Sequence, residues 1–505
     1  MSLVVSRGRG PLVLVAPHGG RRDPARRPWG SAPCRMNDLH TASLTQELAA
    51  ALNASALVND ALDRNDVDLN RLSAAHDRQP AFLDALASLL DDACARHGRA
   101  TVVTVHGWNV VEPRVDVGLG CRPGAAPLAV TPDAAVSPAF AAHGIAALVD
   151  ACAACGIHAT IGARYPACAR ENLVQLFTPR HRADPRPRVR RLAALGASCD
   201  AFQLELGIPL RWPGAWRRRF VDACRAALPA LAAAPSSARA PREAAGVPAP
   251  PARTAIEIAG ADVAGLAAID GTGSRLLLCT ADGGLLLFTG DHAGRADAGG
   301  LAVVTRDGAT RVRFAGPLAR FPDTTPFVDL EEGLARATLV DDAALALDFV
   351  AAHADDEGGA FGAVTGALRV GDVETPIAAH GFAAPAAAPT PWPRLRATLR
   401  LGDRAALALV VATAEARASG FVWDGSRRVA VAGATARLGS DAAPLDGLGL
   451  DVRLADGSGL HVDAEPVHRL PVVRGGSVPA VRVLWAACRV AGSRHAAGWC
   501  ELGGY

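Results

Sequence analysis

The chain has 505 residues, of which 50% are hydrophobic and 20% are charged, and its formal net charge at pH 7 is +2. This composition is ordinary for globular proteins and excludes a wholly disordered chain, and the nearly balanced charge gives no reason to expect nucleic acid as a partner. No apolar run reaches the roughly 18–20 residues of a membrane helix, and the start, MSLVVSRGRG, lacks the apolar core of a secretory signal. We therefore expect a soluble, cytoplasmic protein that binds no membrane.

Residues 1–230 alternate between β-like and helical segments. Four apolar runs predict strands: PLVLVAP (11–17), TVVTVHG (101–107), IHATIGA (157–163) and AFQLELGIPL (201–210). Ala- and Leu-rich stretches between them predict helices at 44–54, 80–97, 138–156 and 216–231. Strands and helices in alternation indicate an α/β domain whose mostly parallel sheet is covered on both faces.

The composition changes after this region. Residues 231–253 are rich in Pro, Ala and Ser without apolar periodicity, which is typical of a linker. From residue 254 to 505, short β-like runs recur between Gly and Asp-Gly, and Asp-Gly between alternating apolar residues is a strong hairpin signal. This pattern predicts an all-β barrel or sandwich, which a Pro- and Ala-rich stretch at 383–393 could divide into two similar halves.

Four polar clusters of the first region stand at the ends of predicted strands, where open α/β sheets place their functional sites. His18 follows one strand in PLVLVAPHGG, and His106 lies at the end of another in TVVTVHG. Between them, residues 63–71 (DRNDVDLNR) concentrate charged and amide side chains. Glu205 lies near the end of AFQLEL on the same strand face as Gln203, and a carboxylate in that position needs a partner or a wet cleft.

The order and wording of these clusters resemble the zinc carboxypeptidase superfamily and, within it, the N-formylglutamate amidohydrolase family. The most specific element is Arg64 followed by DLNR (68–71), while PHGG, NDLHT (37–41) and QLEL followed by Arg211 are similar to the amidohydrolase branch. The resemblance covers about residues 10–230. It implies a zinc-carboxypeptidase-like, phosphorylase/hydrolase-like α/β domain with one zinc ion per chain.

The resemblance also implies that two histidines and a carboxylate hold the zinc, which leaves one coordination position open for a reactive water. His18 and His106 are the expected histidines. The carboxypeptidase pattern H-x-x-E would place the carboxylate at residue 21, which is Arg here. Asp38, in NDLHT, is the expected third ligand, and Asp23 and His40 are the alternatives.

Roles for the remaining residues follow from the same resemblance. Glu205 is expected to be the general base toward water and then the acid toward the leaving amine. Arg64 is expected to stabilise the charge that develops on the carbonyl oxygen. Arg71, supported by Asn70, suits two-pronged binding of a substrate carboxylate. The predicted activity is hydrolysis of the amide bond of an N-acyl amino acid such as N-formylglutamate, or release of a peptide-terminal residue with a free carboxylate.

The second half carries its own resemblance. The segments GFVWDG (420–425), HVDAEP (461–466) and GWCELGGY (498–505) are similar to the calycin-like β-domains related to hydroxyneurosporene synthases. Such a domain implies a barrel that can enclose a small apolar ligand. A β-domain that only covers or orients the hydrolase cleft is the alternative.

A function of a different class also remains open, namely an inactive hydrolase-like domain within a ligand-binding or scaffolding protein. The absence of the H-x-x-E carboxylate favours this interpretation. The presence of both histidines, DLNR and Glu205 favours an enzyme, and the metal content of the purified protein would separate the two.

Overall fold

The computed structural model gives the chain an α/β region followed by an all-β region. It describes residues 3–21, 35–123, 130–131, 133–231, 254–260, 263–270, 273–280, 284–291, 300–306, 309–321, 330–354, 360–384, 394–401, 406–412, 417–423, 426–438, 447–474, 481–490 and 498–503. These residues form two compact units, one up to residue 231 and one from residue 254. Within them, no helix is long and apolar enough to cross a membrane. Beyond residue 231, the predicted linker lies outside the described residues.

The first unit is an alternation of strands and helices. Its strands are β1 (Leu3–Ser6), β2 (Leu12–Ala16), β3 (Ser55–Asn59), β4 (Ala100–Gly107), β5 (Arg114–Gly118), β6 (His158–Ile161) and β7 (Cys199–Leu206). Its α-helices are α1 (Thr41–Leu52), α2 (Leu72–Arg78), α3 (Pro80–His97), α4 (Ala146–Ala154), α5 (Pro187–Leu195), α6 (Ile208–Arg211) and α7 (Ala215–Leu231). A π-helix (Phe140–Ile145) precedes α4, and a 3-10 helix (Leu173–Phe177) precedes α5.

The seven strands form one sheet in the order β1-β3-β2-β4-β7-β5-β6. Neighbouring strands are parallel except for the pairs β1–β3 and β5–β7. The mostly parallel α/β sheet predicted from the sequence is therefore confirmed. The last strand of the unit in chain order, β7, lies between β4 and β5 in the middle of the sheet.

Apolar side chains cover both faces of this sheet. In β2, Leu12 and Leu14 belong to one buried core cluster, while Val13 and Val15 belong to another. The first cluster also contains side chains of α1, α4 and α7, and the second contains side chains of α2, α3 and α5. Since successive side chains of a strand point to opposite faces, the unit has three layers with the sheet in the middle.

Some element boundaries differ from the sequence-based prediction. The strand predicted over 201–210 ends at Leu206, because a short helix with Pro209 in its first turn begins there. The helix α5, which begins at Pro187, was not predicted from the sequence. The strands β1, β3 and β5 were not predicted from the sequence.

The second unit consists of strands and, within the described residues, one short helix, α8 (Leu330–Arg336). The strands before residue 385 are β8 (Thr254–Gly260), β9 (Val263–Asp270), β10 (Gly273–Thr280), β11 (Leu285–Gly290), β12 (Leu301–Arg306), β13 (Ala309–Phe321), β14 (Thr338–Ala354), β15 (Ala360–Val370) and β16 (Val373–Ala384). Those after residue 393 are β17 (Arg394–Arg400), β18 (Ala406–Ala412), β19 (Arg417–Trp423), β20 (Arg428–Leu438), β21 (Leu448–Leu454), β22 (Gly459–Arg474), β23 (Val481–Val490) and β24 (Gly498–Gly503).

These strands form two antiparallel sheets. The first has the order β11-β10-β9-β8-β16-β15-β14-β13-β12, with a further pairing of β11 with β13, and the second, β17 to β24, is a closed barrel. The turn between β21 and β22 contains Asp456 and Gly457, and Gly457 has a φ of 87° that suits glycine. The all-β prediction is confirmed, and the second sheet is a barrel rather than a sandwich.

Candidate metal centre

The side chains singled out in the sequence meet at the carboxyl ends of parallel strands. His18 follows β2, and the neighbouring parallel strand β4 contains His106. On the other side of β4, Glu205 of β7 is in register with His106. Residues in register on neighbouring strands point to the same face of a sheet, so the Glu205 and His106 side chains are neighbours.

Three buried side chains converge at this edge, and we call them the triad: His18, Asp38 and His106. The Nδ1 atom of His18 and the Nδ1 atom of His106 each lie 3.2 Å from Oδ2 of Asp38, and the two Nδ1 atoms are 3.2 Å apart. No member is more than 2% exposed. Asp38 reaches the site from the segment before α1, where its backbone N–H donates a 2.9 Å hydrogen bond to the carbonyl of His18.

The electrostatics of the triad place an ionised carboxylate beside a neutral imidazole. Burial alone would raise the pKa of Asp38, but the charge of His18 and the hydrogen bonds of both histidines hold it well below its usual range. Burial lowers the pKa of His106 to about 4, so its ring is neutral and carries one proton. Its Nε2 atom is buried and has no hydrogen-bond partner among the described residues, so one ring nitrogen is unsatisfied in either tautomer.

The spacing of the triad also fits a metal ion. Tetrahedral zinc, with bonds of about 2.0–2.1 Å, separates its ligand atoms by about 3.3 Å. The three donor atoms here are mutually 3.2 Å apart. Two imidazoles and one carboxylate are a donor set found at zinc sites. Of the residues that the structure describes, the triad is the cluster of His, Cys, Asp and Glu that could hold a metal ion.

Asp68 binds the outer side of His18. Its Oδ1 atom lies 2.7 Å from Nε2 of His18, on the side of the ring opposite the triad. Burial would raise the pKa of Asp68, but this hydrogen bond and the charges of His18, Arg64 and Arg71 hold it well below its usual range. With a metal ion in the triad, a carboxylate there would receive the Nε2 proton of the ring and leave the Nδ1 lone pair for the metal, as is usual for metal-binding histidines.

Arg64 contacts the triad from the side. Its Nη1 atom donates to Oδ1 of Asp38 at 3.3 Å and to the carbonyl of Met36 at 3.0 Å. The Asp38 oxygen bound by Arg64 is not the one that faces the histidines. The Nε atom of Arg64 is buried and makes no hydrogen bond to any described residue.

Glu205 is buried beside the triad. Burial and the charge of Asp38 raise the pKa of Glu205 well above its ordinary value. Its Oε1 atom accepts a 2.8 Å hydrogen bond from Nε2 of Gln203, two residues earlier on the same face of β7. A carboxyl group with a raised pKa can hold or release a proton near neutral pH, as general acids and bases must.

Asn70 and Arg71 lie at the start of α2, where the chain pairs with the segment before the 3-10 helix. Oδ1 of Asn70 accepts a 3.1 Å hydrogen bond from the backbone N–H of Leu173, and Arg71 forms an isolated antiparallel bridge with Asn172. The Arg71 side chain is 39% exposed, and its Nε atom lies 3.8 Å from Oδ2 of Asp68. The guanidinium therefore reaches the solvent at the edge of the site.

The two alternative ligands have different outcomes. Asp23 lies outside the described residues. His40 has a left-handed φ of 67°, and its ring packs edge-on against Trp212 with the centroids 5.5 Å apart. Burial and the charges of Arg211 and Arg217 lower its pKa to about 4. His40 thus presents a neutral ring to Trp212 and is not part of the triad.

Sequence reasoning missed three contributors to this site. Asp68 was visible in DLNR but received no role, because nothing in the sequence indicates which histidine it meets. Asn172 and Gln203 also received none, although Gln203 was placed on the same strand face as Glu205. Gln203 could have been found from its position two residues before Glu205 in a strand, which places both side chains on one face. Nothing in the sequence pointed to Asn172.

Comparisons with known proteins give only distant likenesses. No protein-family model matches the chain, and no curated protein does so either. The solved structure of N-formylglutamate amidohydrolase from Ralstonia eutropha JMP134 is similar over 45% of this chain and 96% of its own, with 15% identity and a TM-score of 0.32. CghA is similar over 50% of this chain and 87% of its own, with 14% identity and a TM-score of 0.27. Kievitone hydratase from Nectria haematococca has the same two coverages, 9% identity and a TM-score of 0.23.

Proposed function

We propose that this protein is a zinc-dependent hydrolase that cleaves the amide bond of an N-acyl amino acid, or releases a peptide-terminal residue with a free carboxylate. The observation that carries the proposal is the buried triad with Glu205 in register beside it. His18, Asp38 and His106 would hold the zinc. When bound in such a site, zinc polarises a carbonyl group and lowers the pKa of a water molecule.

Glu205 moves the protons of this reaction. Its Oε1 atom is engaged by Gln203, so Oε2 is the atom that accepts a proton from the attacking water. The same carboxyl group then donates that proton to the nitrogen of the leaving amine. The raised pKa of Glu205 supports this role, because the group must be both a competent base and a competent acid near neutral pH.

Arg64 stabilises the negative charge that develops on the carbonyl oxygen. Its Nη1 atom is committed to Asp38 and Met36, which fixes the guanidinium beside the triad. Its Nε–H is buried and meets no acceptor among the described residues, so a developing oxyanion would be its partner.

Arg71 and Asn70 recognise the substrate carboxylate. The exposed guanidinium of Arg71 offers two parallel N–H donors, which match the geometry of a carboxylate. The oxygen of Asn70 is occupied by Leu173, so its amide nitrogen is the group left to donate. This pair makes a small molecule with a free carboxylate the substrate class.

Within the chain, residues 1–230 act as the hydrolase domain, residues 231–253 as a linker, and residues 254–505 as a β-domain. The β-domain would bind a small apolar ligand, because barrels of about eight strands can enclose one.

Hydrolysis assays on the zinc-loaded full chain test the proposed function. The substrates are N-formyl and N-acetyl derivatives of glutamate, aspartate and leucine, and the variant is Glu205→Gln. We expect the wild type to hydrolyse at least one acidic member, with activity lost on chelation and restored by zinc. Glu205→Gln should keep its zinc and lose at least about 10²-fold in kcat, the lower end of what general acid–base catalysis contributes. Absence of turnover by the zinc-loaded wild type across the panel would instead favour an inactive hydrolase-like domain.

A further inference from the structure

Asn172 begins a hydrogen-bonded path of fixed direction toward Glu205. It caps the 3-10 helix Leu173–Phe177, and its Oδ1 atom accepts a 2.9 Å hydrogen bond from the backbone N–H of Val174. A backbone N–H can only donate, so this contact identifies the oxygen of the Asn172 amide. Its Nδ2 atom therefore points the other way, and it donates to Oε1 of Gln203 at 3.0 Å.

The orientation of Gln203 follows from that of Asn172. Because Oε1 of Gln203 faces the Asn172 donor, Nε2 of Gln203 faces Glu205 and donates to its Oε1 atom at 2.8 Å. All three side chains are buried. We call Asn172 and Gln203 the amide relay, since each amide accepts on one side and donates on the other.

The far end of the amide relay is tied to the segment assigned to substrate binding. The backbone of Asn172 forms an isolated β-bridge with that of Arg71, and the backbone N–H of the adjoining Leu173 donates to Oδ1 of Asn70. The backbone N–H of Leu72 also donates to the carbonyl of Glu171 at 2.9 Å. A displacement of the Asn70–Arg71 segment would therefore move Asn172 as well.

We propose that Asn172 and Gln203 are positioning residues that hold Oε1 of Glu205 and couple the orientation of its carboxyl group to the Asn70–Arg71 segment. This inference rests on the proposed function for its catalytic consequence. With Oε1 of Glu205 held by Gln203, Oε2 faces the attacking water. The amide relay then links the Asn70–Arg71 segment, which binds the substrate carboxylate, to Glu205, which transfers the proton. Binding of the carboxylate and proton transfer thus depend on one another.

Three variants separate this role from ordinary packing. Gln203→Met keeps the volume of the side chain and removes both of its hydrogen bonds. Asn172→Asp keeps the oxygen that caps Val174 but replaces the donor by an acceptor, so Gln203 must turn its NH2 group away from Glu205. The control, Gln175→Met, lies on the same 3-10 helix and does not touch Glu205. It removes three hydrogen bonds: two that Nε2 donates to the carbonyls of Gly120 (2.8 Å) and Ala167 (2.7 Å), and one that Oε1 accepts from Arg180 (3.1 Å).

The activity arm uses the zinc-loaded full chain. We expect Gln203→Met to lower kcat about 10-fold and to leave the zinc content unchanged. Asn172→Asp should lower kcat at least as much and should also raise KM for the acidic substrate. Gln175→Met should lower the Tm by a similar amount and leave kcat within about twofold of the wild type. In a Glu205→Gln background, Gln203→Met should cause no further loss, because its effect acts through Glu205. Two results would overturn the proposal. One is a wild-type kcat in Gln203→Met, and the other is an equal fold-loss of kcat when Gln203→Met is introduced into the wild type and into Glu205→Gln.

A second arm does not need activity, so the amide relay is still tested if the proposed hydrolysis fails. It compares the Tm of Asn172→Asp with that of the double variant Asn172→Asp/Glu205→Gln over a series of pH values into the alkaline range, because a protonated Glu205 could donate to the reversed Gln203 and a carboxylate cannot. An amide at position 205 can donate to the reversed Gln203, so we expect the double variant to regain most of the Tm lost in Asn172→Asp. If the substitution at 205 leaves that loss unchanged, no relay connects the two residues.

Discussion

The imidazole of His18 is fixed by Asp68, whose Oδ1 atom lies 2.7 Å from Nε2. Asp68 stands 50 residues further along the chain and is itself held by Arg35, at 3.0 Å, and by the backbone N–H of Asn70, at 3.1 Å. The other ring nitrogen, Nδ1, lies 3.2 Å from Asp38, so both nitrogens have a carboxylate partner. When a metal ion replaces the Nδ1 proton, the contact with Asp68 would keep the remaining proton on Nε2.

Asp68→Asn should weaken zinc binding about 10- to 100-fold, the usual cost of losing such an outer partner. The amide is a poorer acceptor for the Nε2 proton and does not enforce the same tautomer. Competition with a chelator of known affinity measures the change. The matched control is Asp77→Asn, which removes the exposed carboxylate 2.7 Å from His76 and should leave zinc affinity unchanged. Equal affinity in Asp68→Asn and the wild type would mean that Asp68 has no part in metal binding.

Zinc content should depend on each member of the triad. His18→Ala, His106→Ala and Asp38→Ala each remove one of three donor atoms, so we expect the purified variants to lose the stoichiometric zinc of the wild type. Elemental analysis provides the measurement. His97→Ala, which removes an exposed ring bound to the carbonyl of Arg9, serves as the control and should retain the metal. Full zinc occupancy in both histidine variants of the triad would rule out this metal centre.

Arg71→Ala should raise KM for acidic N-acyl amino acids about 10- to 100-fold, since hydrogen bonds to charged groups contribute about 1.5–3 kcal/mol. Arg71→Lys should recover only part of the loss, because an ammonium group lacks the two-pronged geometry. Steady-state kinetics on acidic and neutral amides give the comparison. Arg78→Ala on the same helix is the control. An equal rise in KM for neutral amides would count against carboxylate recognition by Arg71.

Residues 1–235 expressed alone should fold and bind zinc. Both apolar cores of the first unit are made of side chains between Leu3 and Leu228, and β7 and α7 are complete by Leu231. Circular dichroism, a cooperative thermal transition and zinc analysis of the fragment check this expectation. A fragment that is insoluble or free of metal, while the full chain binds zinc, would show that the β-domain supplies part of the core or the site.

Asp184→Asn should destabilise the protein strongly at pH 7 and less at pH 3. The hydrogen bonds from Arg186 and from His181 (2.7 Å) hold the pKa of Asp184 well below its usual range. Because the folded protein favours the carboxylate, its contribution to stability is complete above the unfolded pKa of about 3.9, shrinks as the pH falls below that value, and is lost only as the pH falls through the lowered pKa of the folded state. Calorimetry at pH 7 and pH 3 measures the difference in Tm. Asp133→Asn, at an exposed pair with Arg180, should change little at either pH, and a pH-independent effect of Asp184→Asn would contradict this account.

The sequence was sufficient for features that depend on local pattern. The strand before His18 and the strand that ends in His106 could be predicted because apolar runs define them, and the carboxyl ends of parallel strands then bring the two histidines together. The helix over 80–97 was predicted to the residue, since Pro80 starts it and Gly98 ends it.

Features that depend on long-range contact could not be predicted in this way. The Asn172–Gln203 hydrogen bond joins residues 31 positions apart, and the direction of its amides is decided by the backbone of a 3-10 helix. Likewise, nothing in NDLHT indicates that Asp38 bends back to the carbonyl of His18. Such contacts follow from the tertiary arrangement of elements that the sequence specifies only one at a time.

The place of β7 in the sheet links the site to the order in which the chain is synthesised. β7 is the last strand of the first unit to leave the ribosome, yet it lies between β4 and β5. Until Leu206 has emerged, β4 and β5 each lack a neighbour on one side, and unpaired edges invite association with other chains. A nascent chain that stops short of this point already contains both histidines of the triad. The same eight residues that join β4 to β5 deliver the Glu205 carboxylate, so the chain gains this group only at the step that also pairs these two edges.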